Sequence, residues 1–465
     1  MNTVEQDGKS LVTHVSGEIP DEPEGVLVFF CIRNEKFRLP YFLDYYRKLG
    51  VKWFFAVDNN STDDTSAYLQ SQSDVILYFT DQSYKDSNAG RAWTSQLARS
   101  YGMDKWCLTL DVDEFLIFPG SESLQLLDLC DYCDYWGYKA VNTIFLDFYS
   151  DKSIDDTKYE EGQSVFEVCE YYDHTESYRC INSLNFPYLQ IKGGPRQRVF
   201  WDSSDKRSGP SMRKVPLVFW NEEFDYLHST HSTTEVVLAD MICVLAHFKF
   251  MDHFKEHAST EVARNDRVEN SKDWKVYTSK LHASNDLSLH DENVSVKFRN
   301  SFGLIEDGFM PFSLKFFNHK IKLEKGFEKE IQNTKTKLSD LAEEPISYSE
   351  VIKAWPSISN LNAQLPYSGQ GRRLDDSISM LRIEDTLHKV LQSRLWKISK
   401  PLRVLSHKTR LADRRVLLDE SENIHQESLY TIFKYTYDSI WWDLLAPLRI
   451  VKKIKNKIAR RFKNA

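Results

Sequence analysis

The sequence predicts an α/β protein built on a doubly wound, mostly parallel sheet. Three observations lead there. Between residues 25 and 120, apolar runs of strand length alternate with helical repeats in units of roughly 20–30 residues. Each apolar run stops abruptly in polar residues, at Arg33/Asn34, Asp58 to Asn60, and Asp111/Asp113. The chain has 465 residues, 41% hydrophobic and 28% charged, enough apolar matter to bury such a sheet.

Taken in order, "GVLVFFCIRNE" (25–35) reads as a strand buried on both faces. "LPYFLDYYRKLG" follows as a helix, with Pro40 in its first turn, Phe42, Tyr45, Tyr46 and Leu49 at helical spacing, and Gly50 as the stop. "VKWFFAVDNNSTDDT" (51–65) is a second strand whose polar end caps the next helix. "DVILYFT" is a third strand, "AGRAWTSQLARSYG" a helix ended by Gly102, and "KWCLTLDVDEF" a fourth strand. "SLQLLDLCDYCDYWGY" predicts an amphipathic helix, "KAVNTIFLDFYS" a strand and "DKSIDDTKYEEG" a loop. "GGPRQRVFW" and "KVPLVFW" read as strands around a Gly-rich turn, and residues 244–266 pass from strand to helix.

These elements divide the chain into a disordered polar leader (1–24), a core domain (25–320), a linker with short helices (321–390) and a helical basic tail (391–465). The tail holds an internal repeat. "SRLWKISKPLR" and "SIWWDLLAPLR" share a W-x-[IL]-x-x-P-L-R unit, and after the second copy Ile450, Ile454, Ile458 and Phe462 form an apolar stripe among seven Lys and Arg. That pattern suits attachment to an anionic membrane surface. The net charge of −8 argues against general nucleic-acid binding. With no secretion signal or membrane-length apolar stretch, and seven scattered cysteines, the expected location is the cytoplasm, peripheral on the inner face of the membrane.

Sheets of this kind bind ligands beyond the carboxyl ends of their strands, so the polar strand ends are expected to converge on one crevice. Asp111 and Asp113, two apart at a strand end, suit a divalent cation that completes its shell with phosphate and water. Arg196 and Arg198 in the Gly-rich "GGPRQRVFW" either reach a diphosphate or an anionic acceptor, or sit solvated on a hairpin. Trp201 and Trp220 are either platforms on which a ligand ring stacks or buried strand aromatics. Cys130 and Cys133 extend the Leu126 stripe and read as packing rather than zinc ligands. "HFKEH" (253–257) matches an inverted zinc-peptidase pattern, the rival reading.

The ordered blocks "RNE", "VDNNSTD", "SYKDSNAGRAW" and "DVDE" resemble family-2-type glycosyltransferases of the GT-A fold, in the branch found among bacterial surface-polysaccharide enzymes. The resemblance covers roughly residues 25–320. It implies a nucleotide-diphospho-sugar donor, a glycan or lipid-linked glycan acceptor, and Mn2+ or Mg2+. It places Asp58 on the nucleotide base or ribose with Arg33, Asn34 and Asn60 nearby, and Lys85 and Arg91 toward the nucleotide or its phosphates. Asp111 is expected on the ribose or metal, Asp113 on the metal, His247 as a later metal ligand with His231 as the alternative, and Lys249 on phosphate. Inversion is expected, yet the usual acidic pair is absent and Glu167, Asp173 and Glu222 remain open as the base. A catalytically inactive sugar-nucleotide-binding module is the remaining alternative, against which the intact Asp111, Asp113 and His247 weigh.

Overall fold

Apolar side chains on both faces of successive short runs leave those runs no stable place but the middle of a sheet. The computed structural model describes residues 3–6, 9–182, 189–201, 208–227, 229–284, 286–311, 316, 367–368 and 372–373. The first elements are β1 (Thr3–Gln6), β2 (Lys9–Ser16), β3 (Leu27–Ile32), α1 (Leu39–Lys48), β4 (Trp53–Asp58), α2 (Thr65–Gln70), β5 (Val75–Phe79) and α3 (Arg91–Tyr101). Next come β6 (Trp106–Leu110), β7 (Glu114–Ile117), α4 (Leu126–Trp136), β8 (Ala140–Asp147), α5 (Val165–Val168), β9 (Tyr171–Asp173), β10 (Tyr178–Asn182) and β11 (Leu189–Gly193). After them lie α6 (Gly194–Phe200), β12 (Arg213–Phe219), β13 (Leu238–His247), α7 (Phe254–Arg264), α8 (Val268–Ala283), β14 (Ser295–Lys297) and α9 (Ser301–Glu306).

Ten strands make one sheet in the order β1-β2-β5-β4-β3-β6-β12-β8-β13-β7. The expected parallel arrangement holds across β5, β4, β3 and β6. Beyond β6 the pairing is mixed. β12 runs antiparallel between β6 and β8, β13 is parallel to β8, and β7 closes the edge antiparallel to β13. The fold is therefore mixed α/β with a large sheet. Its core is continuous across β3, β4, β6, β8 and β13, and a second aromatic cluster of Phe200, Phe250, Phe254 and Tyr277 lies under α7 and α8.

Two local expectations are corrected. The leader expected to be disordered supplies β2, whose Thr13 and His14 face Phe79 and Tyr78 of β5, with Val12 buried. β2, itself covered by β1, takes up hydrogen bonds that β5 would otherwise leave open. Gly17, at φ +89°, ends it where an added Cβ would lie 2.3 Å from the Val75 carbonyl oxygen. "GGPRQRVFW", expected as a strand, forms α6, because Pro195 stands in the first helical turn where its missing N–H costs nothing. Cys130 and Cys133 are buried free thiols in the core, as packing requires. Most of the linker, the repeated W-x-[IL]-x-x-P-L-R unit and the basic tail lie outside the described residues.

Candidate active site

Strand register assembles the site. On β13, His247 lies opposite Glu114 of β7 on one side and Asp147 of β8 on the other. The turn between β6 and β7 carries Asp111 and Asp113, and the Asp113 carbonyl accepts the amide of Phe248, which fixes that turn beside the end of β13. Asp111, Asp113, Glu114 and His247 face a cleft of about 340 Å³, within the usual range for ligand pockets.

At its centre, Asp113 Oδ2 is 3.3 Å from His247 Nε2, and His247 Nδ1 is 2.6 Å from Asp147 Oδ1. Asp147 is fully buried and also accepts from Arg196 Nε at 2.7 Å. A buried carboxylate on Nδ1 fixes the ring and turns Nε2 toward Asp113. Two ligands of one octahedral ion with bonds near 2.1 Å stand about 3 Å apart. The Asp113–His247 separation fits that edge. Asp111, Asp113 and Glu114 offer oxygens within 4.8 Å of one another, the only such acidic, His or Cys group among the described residues. Glu114 is already held by Lys214, whose Nζ also approaches Asp111 Oδ2 at 3.3 Å. Asp111, Asp113 and His247 thus stand together at one end of the cleft, with Lys214 shared between Glu114 and Asp111. Burial works to raise the Asp113 carboxyl, but His247, Arg38 and Lys249 outweigh it and hold it well below the usual carboxylate range.

Cations line the rest of the cleft. Lys249 Nζ lies over Trp274 at 4.8 Å, and burial brings its ammonium below its ordinary value despite the pull of Asp113. Arg267 stacks on Tyr84 and pairs with Glu261. Arg33 donates to the Asn59 carbonyl at 2.8 Å, while Arg264 reaches the Asn59 side chain at 2.8 Å. Burial and the repulsion of Arg264 lower the Arg33 guanidinium. An anionic ligand would relieve this crowding of positive charge.

The cleft gathers Arg33, Asp111, Asp113, Arg196, His231, His247 and Lys249 from the expected set. Arg196 is spent on Asp147, so it orients rather than grips. His231 turns its Nδ1 to the Arg213 carbonyl and its ring toward Phe145. The others are elsewhere. Asp58 is buried and accepts from the Ser61 amide, Asn34 braces Thr62, and Asn60 is exposed. Lys85 reaches Asn270, Arg91 the Tyr226 carbonyl, and Arg198 Asp173. Asp58, Asn34, Lys85, Arg91 and Arg198 each meet another partner in the chain, which one-dimensional spacing does not disclose.

None of the three proposed bases lines the cleft: Glu167 and Glu222 are exposed on the surface, and Asp173 is buried against Arg198 and Tyr149. Trp220 is buried against Phe224 and Tyr226, and Trp201 packs on Tyr277. The peptidase pattern also fails on geometry. His253 and His257 do face the cleft, but His253 Nε2 is 2.7 Å from the Arg38 guanidinium and Glu256 is exposed. A cation on the ligating nitrogen leaves no place for zinc.

Sequence reading overlooked Glu35, Arg38, Asp147, Lys214, Arg264, Arg267 and Trp274. Two of these carried a signal: Asp147 in "TIFLDF" and Lys214 in "RKVPLVF" are charges inside apolar strands, the same anomaly that marked Asp111 and Asp113.

No family model matches the chain. It is similar to a glycosyltransferase family 92 protein of Ricinus communis, with 27% identity over 127 residues, 27% of this chain and 23% of that protein. A second family 92 protein, from Oryza sativa subsp. japonica, is 32% identical over 97 residues, 20% of this chain and 16% of the relative. The chain thus spans less than a quarter of the length of the curated relatives it matches. Among solved structures it is similar to a putative glucose-1-phosphate thymidylyltransferase from Bacillus anthracis (9% identity, TM-score 0.23, 65% of this chain and 99% of that one). Another is a 4-diphosphocytidyl-2C-methyl-D-erythritol synthase (12% identity, TM-score 0.21, 42% and 75%). Superpositions that loose establish no shared fold. The sequence likeness is to glycosyltransferases in general, not to the family-2 branch that the motif blocks suggested.

Proposed function

We propose that the chain is a metal-dependent glycosyltransferase of GT-A type, moving a sugar from a nucleotide-diphospho-sugar to a hydroxyl of a glycan or lipid-linked glycan. The observation that carries this reading is the meeting of Asp111, Asp113 and an oriented His247 in a cleft otherwise rich in cations. The likeness to family 92 glycosyltransferases points the same way.

A bound Mn2+ or Mg2+ would neutralise the diphosphate as it departs. Asp111, Asp113 and His247 would hold the ion, with Asp147 keeping His247 in the ligating tautomer. Lys249 and Arg267 would face the diphosphate oxygens, where loss of one such contact typically costs about 10²–10³ in rate. Arg33 and Asn59 would meet the nucleoside. The reading extends to an inverting reaction in surface-polysaccharide synthesis on the cytoplasmic face of a membrane, reached through the basic tail.

The test is a thermal-shift screen of nucleotide sugars with and without Mn2+. Metal-dependent binding that vanishes in Asp113→Ala supports the proposal. Binding equal in the mutant removes the metal assignment, and no binding by the intact protein removes the function.

A further inference from the structure

The sequence leaves the proton acceptor unassigned, and the cleft narrows the field. Five acidic side chains line it among the described residues: Glu35, Asp111, Asp113, Glu114 and Asp273. Asp111 and Asp113 belong to the ion, Glu114 is locked to Lys214, and Asp273 is exposed on α8. Glu35 differs from all of these. Its side chain is 13% exposed, its Oε2 accepts from Arg38 Nη1 at 2.7 Å, and its Oε1 takes no hydrogen bond from any described residue.

Arg38 is itself fixed. Its Nη2 lies 2.7 Å from His253 Nε2, and the His253 ring packs on Phe37 at 4.2 Å. One carboxylate oxygen is therefore anchored while the other remains open in the ligand cleft.

We infer that Glu35 is the base that deprotonates the acceptor hydroxyl, with Arg38 and His253 as positioning residues. The inference rests on the glycosyl-transfer reading. As the acceptor oxygen bonds to the anomeric carbon, its proton passes to Glu35 Oε1. The bond from that carbon to the nucleoside diphosphate breaks, and the diphosphate keeps the electron pair. The proton then leaves to water.

The neighbouring imidazoles are poor rivals. Burial and the charge of Arg38 push His253 down to about 2, and burial with Arg267 and Arg38 pushes His257 down to about 3. Burial pushes the Glu35 carboxyl up to about 7, with Asp113 adding to it and Arg38 and Arg267 opposing. A base that titrates near neutrality suits proton transfer at neutral pH.

The test uses the full chain, Mn2+ and a panel of uridine, guanosine and thymidine diphospho-hexoses, with water as the acceptor hydroxyl and release of nucleoside diphosphate as readout. Glu35→Gln, which keeps an oxygen for Arg38, is expected to bind donor within threefold of the intact protein. Its turnover should fall by about 10²–10⁴-fold. The acid limb of the rate–pH profile should vanish, and Glu35→Asp should restore part of the turnover. Turnover of Glu35→Gln within threefold of normal, or donor binding lost in parallel with turnover, overturns the assignment of Glu35 alone. An intact protein that binds none of the donors with Mn2+ overturns the transfer reading and Glu35 with it.

Discussion

Asp147→Asn tests whether a residue that no motif marks controls the ion site. Asp147 is fully buried and serves two partners, His247 Nδ1 at 2.6 Å and Arg196 Nε at 2.7 Å. A carboxylate accepts from both, whereas an amide must present its NH2 to one of them. If the amide oxygen stays on Arg196, its nitrogen donates to His247 Nδ1 and drives the ring proton onto Nε2, toward Asp113. Loss of such an orienting partner typically lowers metal affinity about 10–100-fold, or roughly 1.4–2.7 kcal/mol. The substitution also leaves the guanidinium of Arg196, 5% exposed, without its carboxylate. Breaking a buried pair on one side costs about 3–5 kcal/mol, a large share of a typical stability of about 5–15 kcal/mol. Urea unfolding reads the second effect, and Mn2+ titration calorimetry well below the unfolding midpoint reads the first. Mn2+ affinity within twofold of the intact protein, alongside the stability loss, would show that Asp147 serves Arg196 only and that His247 is not a ligand.

Glu35 should also leave a mark on folding. Its carboxyl rises from 4.5 to about 7 in the fold, so the folded state retains a proton that the unfolded chain loses between those values. Stability therefore falls as pH rises through that window, by on the order of 3 kcal/mol. The half-buried His231, His253 and His257, whose imidazoles are lowered, act oppositely, losing stability as pH falls below 6.5. Subtracting the urea-derived stability curve of Glu35→Gln cancels the histidines and isolates the carboxyl; a flat difference between pH 4.5 and 7 refutes it. Lys249→Met removes a cation that makes no hydrogen bond to the described residues, so stability should change by less than ~1 kcal/mol while nucleoside-diphosphate affinity falls about 10–100-fold. Calorimetry showing unchanged affinity would take Lys249 off the diphosphate. Gly17→Ala forces a left-handed backbone and a 2.3 Å approach to the Val75 carbonyl, whereas Gly25→Ala forces only the backbone, with open space around it. The first should cost at least ~2 kcal/mol and the second about 1 kcal/mol; equal urea midpoints would contradict the packing of β2 on β5.

Much of this is legible in the sequence alone. The run "VLVFFCI" can only be a buried strand, and β3, β4, β5 and β6 form as a parallel unit. Asp111 and Asp113 announced themselves because carboxylates at the end of an apolar strand need a reason to be there. Less was legible where a polar side chain had several neighbours to choose from. Asp58 reads as a nucleotide ligand from "VDNNSTD", and the spacing does not disclose that its Oδ1 also accepts the Ser61 amide in its own turn. Glu35 stood in the quoted "RNE" block unassigned, since its meaning comes from His253, 218 positions away in the chain, holding Arg38.

The sequence by itself determined the strand–helix alternation, the buried faces and the acidic turn after β6, because periodicity and the cost of desolvating charge act within a few residues. Only the tertiary structure decided which charges face the cleft. Register sets His247 between Glu114 and Asp147, and the return of α7 brings His253 against Arg38. Those are pairings between distant segments, and hydrogen-bond geometry over about 3 Å is fixed only once the sheet has closed.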